Sequence, residues 1–548
     1  MSKFKLRNVL RAALVMVAPM VIGAGAAVGE PVVFRVSIDP RVRTEAATGR
    51  LVVYLLREGA KVGGGGGGGG GRGGVTPADA PFYDDPQPLF GVDVTVLKPG
   101  EEVLVDDRAT GFPTAPSGLE AGSYKAQAVL DIGQLSGDWK KEPGNLYSGT
   151  VGFTIGERGE VAGPVSIVLN EVVGMEAGTV SGGVGGKPMA GVEFVEVPSK
   201  LLSAFRGRAV TLRAAVVLPT DYDATRKYPA VYEVPGFGGD HRQVLRRAAM
   251  RSLKRLSAEG EELQRSAFFI GLDPDSPSGH TLFADSANNG PCAQALMTEL
   301  IPAIEAKYPL IAEVGARIVT GHSSGGWSSV WLASQYPEFF GVCFAGAPDP
   351  VDFTSFQKAN IYEDANFYTD ARGAEIPSNL QDGVVLMTVK QENAVEEALG
   401  PRNTSGQQWD SWQAVFGPKD SRDGHPAALF DAASGVLDRA VTEQYRRYDI
   451  TDLVRKDPKR YGPVFQKNIR ILVGGADEWN LGEAVAKLRD ELAKRGYPVG
   501  QDPGAGGSIV VVPGRDHGTI LRTDEARGRE GQMLALLRRA GYAPEAKP

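Results

Sequence analysis

Short apolar runs separated by turn residues fill the first part of the chain. Val32–Val36, Leu51–Leu56, Val92–Leu97 and Tyr124–Leu130 are mostly rich in β-branched residues, and none keeps a helical period for about three turns. This pattern predicts short strands, and residues 30–195 read as a β-sandwich-like domain. A run of consecutive glycines, Gly63 to Gly71, interrupts it. With no side chains to bury, that run is expected to be a flexible surface loop.

The pattern changes near Leu201. Ala214–Leu218, Tyr228–Val234, Ala267–Leu272, Ile318–Thr320, Gly341–Ala345, Ile469–Val473 and Ser508–Val512 are near-continuous apolar runs of strand length. Helical patterns lie between them. Cys292–Lys307 carries apolar residues at 296, 297, 300, 301 and 304, Gly326–Ala333 reads as a helix, and Leu481–Gly496 is amphipathic and closed by glycine. The alternation predicts an α/β architecture over residues 196–548, a mostly parallel sheet with helices on both faces. Such a sheet places its chemistry beyond the carboxyl ends of its strands. Residues 351–465, polar with scattered aromatics and weak helical segments, fit poorly and read as an insertion near the mouth of the site.

At 548 residues the chain is too long for a single core. Hydrophobic residues make up 42% and charged residues 23%, as in ordinary globular proteins. The net charge is −7, and Lys3, Lys5, Arg7 and Arg11 stand in an N-terminal stretch without acids, so the remainder is more acidic still. That balance argues against nucleic acid as a partner. The basic residues precede the apolar stretch Ala12–Ile22 and the small residues Ala24-Gly25-Ala26, an A-x-A cleavage pattern. Residues 1–29 are therefore read as an export signal, with a periplasmic or secreted product. Pro19 and the glycines keep the apolar run below the roughly 20 residues needed to span a bilayer, so no stable membrane span is expected after its removal. Cys292 and Cys343 are the only cysteines, too few for a disulfide framework. They read either as a pair or as two small buried side chains.

Gly321-His322-Ser323-Ser324-Gly325 is a G-x-S-x-G pentapeptide between a strand pattern and a helix pattern, the setting of a nucleophile elbow. A serine hydroxyl is a weak nucleophile and needs a base, which in turn needs an orienting acid. Of the histidines, His241 and His280 precede the serine, His322 is expected to point away around the turn, and His425 follows no strand. His517 follows the last predicted strand and is read as the base. Asp477, at the end of the preceding strand, is read as the acid, with Asp349 as the alternative and Glu478 expected to point elsewhere. The oxyanion needs two amide donors. These are read as Ser324 and, in the turn Pro235-Gly236-Phe237-Gly238-Gly239, Phe237 first and Gly238 second. Asn288 and Asn289, in the loop after the strand ending at Leu272, are expected near substrate. The histidines and cysteines show no ligand spacing, so no metal is expected.

From Val192 to Tyr542 the chain resembles the esterase D-like branch of the α/β-hydrolase superfamily, which includes enterochelin esterase and feruloyl esterase relatives. The resemblance rests on Pro235–Gly239, Glu299–Glu305, Gly321–Gly325 and the Asp477 and His517 segments. It implies a cofactor-free serine esterase acting on a small-molecule or polymer-linked ester, sometimes with a β-sandwich in front. Two other readings stay open: a peptidase of the same fold, and a non-catalytic glycan- or envelope-binding protein on a hydrolase scaffold.

Overall fold

A computed structural model describes residues 31–544 except 61–74, 81, 84, 175–188, 503 and 505. The expected export signal and the glycine run lie outside the described residues. Among the described residues no helix is long and apolar enough to cross a membrane.

The N-terminal region is β-rich, as its short runs predict. Its nine strands form one hydrogen-bonded sheet that runs from Glu102–Val105 through Phe34–Ile38, Val165–Val172, Leu146–Ser148, Gly122–Asp131, Ala47–Arg57 and Leu89–Leu97 to Thr110–Phe112. Val151–Ile155 also pairs with Gly122–Asp131. Phe34 and Phe90 lie five strands apart along this path, roughly 24 Å in a flat sheet. Their rings nevertheless stack at 5.8 Å. The sheet therefore curls over its own core, which holds Val36, Leu51, Val53, Leu130 and Ile167. In place of the two separate sheets that a sandwich implies, the described strands form one continuous sheet.

The second sheet has eight strands: β1 (Val192–Pro198), β2 (Thr211–Val217), β3 (Ala230–Val234), β4 (Phe268–Leu272), β5 (Arg317–His322), β6 (Val342–Gly346), β7 (Ile469–Gly474) and β8 (Ser508–Val512). Their order is β1-β2-β4-β3-β5-β6-β7-β8. β1 and β2 are antiparallel additions to six parallel strands. β1 pairs with β2 from Val192↔Val217 to Pro198↔Thr211, so the boundary between the two regions falls before Val192 and not at residue 195. The sequence placed it too late because β1 alternates like one more strand of the N-terminal region.

Both faces of this sheet are covered. Ala214, Val216, Tyr232, Phe268 and Ile270 belong to one apolar cluster. Their sequence neighbours Ala215, Val217, Val231 and Phe269 belong to another, with Leu534 and Leu537 from the helix Arg529–Arg539. This is the period-two alternation of strands buried on both sides. The helical stripe at 292–307 forms with a widened π turn at Leu296–Leu300, where the Ile301 amide bonds back to the Leu296 carbonyl. Pro302, which has no amide to donate, follows at once. Cys292 and Cys343 are free and buried, so the pairing alternative is not realised.

The residues between β6 and β7 form no loose cap. They comprise the hairpin Pro377–Gln381/Val384–Thr388 and the helices Val389–Leu399, Gln408–Phe416, Arg439–Tyr445, Ile450–Lys456 and Pro458–Lys467. Every residue of Gln408–Phe416 is buried, which explains why the sequence shows no amphipathic stripe there. Phe353, Phe356, Trp409, Trp412, Phe416 and Tyr445 pack edge-to-face or tilted, and Phe416 meets Trp327 of the helix Ser324–Gln335 at 5.3 Å. Insertion and sheet thus share one core.

Candidate active site

The turn after β5 places Ser323 at φ 59° and ψ −128°, immediately before the helix Ser324–Gln335. A serine in that strained region persists only because its surroundings fix it. The Ser323 amide donates to Gly346 O at 2.9 Å, and Gly321 and Gly325, two residues to either side, have no room for side chains. A Cβ on Gly325 would lie 2.1 Å from Val234 O, and one on Gly321 would lie 2.3 Å from Gly325 O. As first residue of the helix, Ser324 presents an amide without an intrahelical partner.

The loops after β7 and β8 are zipped together. Gly475 N–H donates to Val512 O at 2.8 Å and Ala476 N–H to Arg515 O at 2.9 Å. This brings His517 Nδ1 to 2.7 Å from Asp477 Oδ2. Asp477 Oδ1 accepts from the Trp479 amide at 3.0 Å, which fixes the carboxylate plane. With Nδ1 donating to a carboxylate, Nε2 is the nitrogen left to exchange a proton. Glu478 does not point elsewhere. Its Oε2 accepts from the His517 amide at 2.5 Å, so neighbouring acids hold the ring and the main chain of the same histidine. The Trp479 ring stands edge-on to the imidazole at 4.7 Å. Burial pushes the His517 pKa down, but the charge and hydrogen bond of Asp477, with Glu478 and Asp349, outweigh it and raise the pKa above its ordinary value.

His322 also departs from expectation. Its ring does not point away but lies 4.4 Å from that of His517. Burial, then the charges of His517 and Arg529, hold its pKa well below the ordinary value, so it stays neutral beside the second imidazole. The contact places the elbow and the His517 loop side by side. The Ser323 hydroxyl makes no hydrogen bond to a described residue. Such bonds often tighten only when substrate arrives.

Asp349, the alternative acid, is committed elsewhere. Its Oδ2 accepts from Ser324 Oγ at 2.7 Å and from Trp412 Nε1 at 2.8 Å, and burial raises its pKa to about 6. Another histidine–carboxylate pair, His241 Nδ1 with Asp273 Oδ2 at 2.9 Å, stands beyond β4. The amide nitrogen of Asn288 is occupied as well. Asn288 Nδ2 donates to Ala414 O and Gly417 O, each at 3.1 Å, and Asn289 is 2% exposed. Asn288 thus ties its loop to the insertion, while Asn288 Oδ1 and Asn289 Nδ2 are buried without a hydrogen-bond partner among the described residues.

The loop after β3 crosses in front of the elbow. A Cβ on Gly236 would lie 3.4 Å from Ser323 Cβ. Gly239 N–H donates to Gly236 O at 3.0 Å, and Gly238 sits at φ +73°, which makes Gly236–Gly239 a type II turn. The Phe237 and Gly238 amides have no partner among the described residues and stay available to a ligand. Sequence reasoning passed over His280, which fixes this loop. Its Nδ1 accepts from Leu282 N–H at 3.0 Å, so its Nε2–H donates to Pro235 O at 3.0 Å. Burial lowers its pKa to about 4 and keeps it in that neutral form. The N-terminal region approaches from the other side. Tyr83 lies 5.8 Å from Trp479, edge to face, and its hydroxyl donates to Glu392 Oε1 at 3.0 Å.

Residues 209–444 match the family described as "Putative esterase", a span that includes Ser323 and the loop after β3 and ends before Asp477. No match was found among curated proteins. Similar solved structures include a ferulic acid esterase at 14% identity and TM-score 0.36, covering 62% of this chain and 97% of that one. Fluorophosphonate-binding serine hydrolase F of Staphylococcus aureus has 12% identity and TM-score 0.36 over 62% of this chain and 97% of its own. An S-formylglutathione hydrolase from Agrobacterium tumefaciens has 15% identity and TM-score 0.34 over 64% and 95%. Over residues 209–444, less than half of its length, the chain is thus similar to an esterase family.

Proposed function

We propose that the chain cleaves a carboxylic ester through an acyl-enzyme on Ser323. Ser323 Oγ attacks the carbonyl carbon while its proton passes to His517 Nε2, and Asp477 holds the imidazole and stabilises the imidazolium. The Ser324 amide, with that of Phe237 or Gly238, takes the negative charge on the carbonyl oxygen. The tetrahedral adduct collapses, the C–O bond breaks, and His517 returns the proton to the departing alkoxide. Water then attacks the acyl group with His517 again as base, releasing the acid and restoring the serine. The observation that carries this reading is the 2.7 Å bond between His517 and Asp477, on loops zipped together beside a serine held at positive φ.

The test is turnover of short-chain nitrophenyl esters together with fluorophosphonate labelling. Both should be present in the wild type and absent in Ser323→Ala. A wild type that turns over aminoacyl amides and not esters defeats the proposal. In this reading residues 1–29 act as a cleaved export signal, and N-terminal sequencing of the exported protein should begin near Ala27. An exported product that still starts at residue 1 refutes that part.

A further inference from the structure

The loop carrying Phe237 and Gly238 is held on one side by His280, from its own region. Its other side is touched by the N-terminal region. Lys141 ends the short helix Trp139–Lys141, and its Nζ donates to the Gly238 carbonyl at 3.3 Å. It also lies 4.0 Å from Asp240 Oδ2, with 14% of the lysine side chain and 11% of the aspartate exposed. Asp240 in turn caps the short helix His241–Val244, which begins where the loop ends. The segment presenting Lys141 is itself fixed. Asn145 Nδ2 donates to Trp139 O at 3.1 Å, and Ser136 Oγ donates to Asp275 Oδ2 at 2.5 Å across the boundary between the regions. Burial would drive the proton off Lys141, but Asp275, Asp240, Asp138 and Asp273 together raise its pKa above the ordinary value. The group facing Gly238 is therefore a cation.

We propose that Lys141 is a positioning residue for the oxyanion loop. By holding the Gly238 carbonyl it fixes the peptide planes whose Phe237 and Gly238 amides face the developing oxyanion. The β-rich region thereby becomes part of the hydrolase's working site and not an appendage. Gly238 needs positive φ in its type II turn, and only glycine adopts that conformation without strain. A turn of such freedom has little stiffness of its own, so an external charge-assisted bond has a job to do. This inference rests on the acyl-transfer reading above.

The test uses the full chain with Lys141→Met, Lys141→Arg and, as control, Arg50→Met. Arg50 Nη2 donates to Ala398 O at 2.7 Å, a docking bond of the same region made to the insertion. Removing an oxyanion donor outright costs about 10²–10³-fold in kcat, so loosening its support should cost about 10- to 50-fold. Lys141→Met should lose that much kcat on nitrophenyl acetate with KM within about twofold, and Lys141→Arg should recover most of it. Arg50→Met should lower the melting temperature and leave kcat unchanged. Hydrogen exchange of the peptide covering residues 235–240 should quicken in Lys141→Met and not in Arg50→Met. Unchanged exchange there, or equal kcat losses in the Met variants, overturns the proposal. Failure of the underlying reading shows separately, as a wild type that neither labels at Ser323 nor turns over esters, while the exchange measurement still decides the role of Lys141.

Discussion

Replacing Asp477 by asparagine tests the site most sharply because the two carboxylate oxygens have different partners. Oδ1 accepts from the Trp479 amide at 3.0 Å and Oδ2 accepts from His517 Nδ1 at 2.7 Å. In Asp477→Asn the carboxamide oxygen keeps the Trp479 bond, so the NH2 group is turned toward Nδ1. Two donors cannot face each other. The imidazole therefore moves its proton to Nε2, the position that must be vacant to accept from Ser323. Burial, already the largest influence on His517, then loses the strongest of the charges that oppose it. Both effects remove base strength, and a triad broken in this way loses about 10⁴-fold in kcat, about 5.5 kcal/mol of transition-state stabilisation. Stopped-flow measurement of the nitrophenolate burst, with a melting curve to show the fold intact, reads the effect. A loss under about tenfold, or an equal loss in Asp349→Asn, refutes the assignment of Asp477.

The pH dependence follows from the raised pKa of His517. The base form is required, so kcat/KM should rise through an acid limb with its midpoint above the ordinary 6.5, and a midpoint below that value contradicts the electrostatic account. Gly325→Ala puts a Cβ 2.1 Å from Val234 O, so the variant should fail to fold or lose both labelling and turnover; a stable, active variant contradicts the described elbow. Trp327→Ala, at a site 0% exposed and stacked on Trp331 at 5.1 Å, should cost about 3–5 kcal/mol in a denaturant titration. Cys292 and Cys343 are buried with thiols pushed up to about 12, so native protein should resist iodoacetamide until it unfolds.

The residues of the proposed site stood out in the sequence because they are scarce types placed at strand ends. Ser323, Asp477 and His517 each follow a near-continuous apolar strand, and His517 is one of only five histidines. The parallel sheet was legible for the same reason, since strands buried on both faces leave unbroken apolar runs. What stayed hidden depends on contacts between distant segments. Lys141 in Trp139-Lys140-Lys141 looks like any surface lysine, and only the docking of the two regions buries it. Glu478 and His322 were read by their place beside a candidate acid and a candidate nucleophile, but the fold brings both onto His517. An amide in a loop likewise gives no sign that carbonyls from residues 414 and 417 will claim the Asn288 nitrogen.

The aromatic packing between the segment 347–468 and the helix Ser324–Gln335 has a consequence for engineering. Chimaeras that exchange this segment between homologues, to transplant a substrate preference, would leave Trp327 and Trp331 facing mismatched rings in place of Phe416 and Tyr448. Crossover points that keep the nucleophile helix and the transplanted segment from one parent preserve that seam.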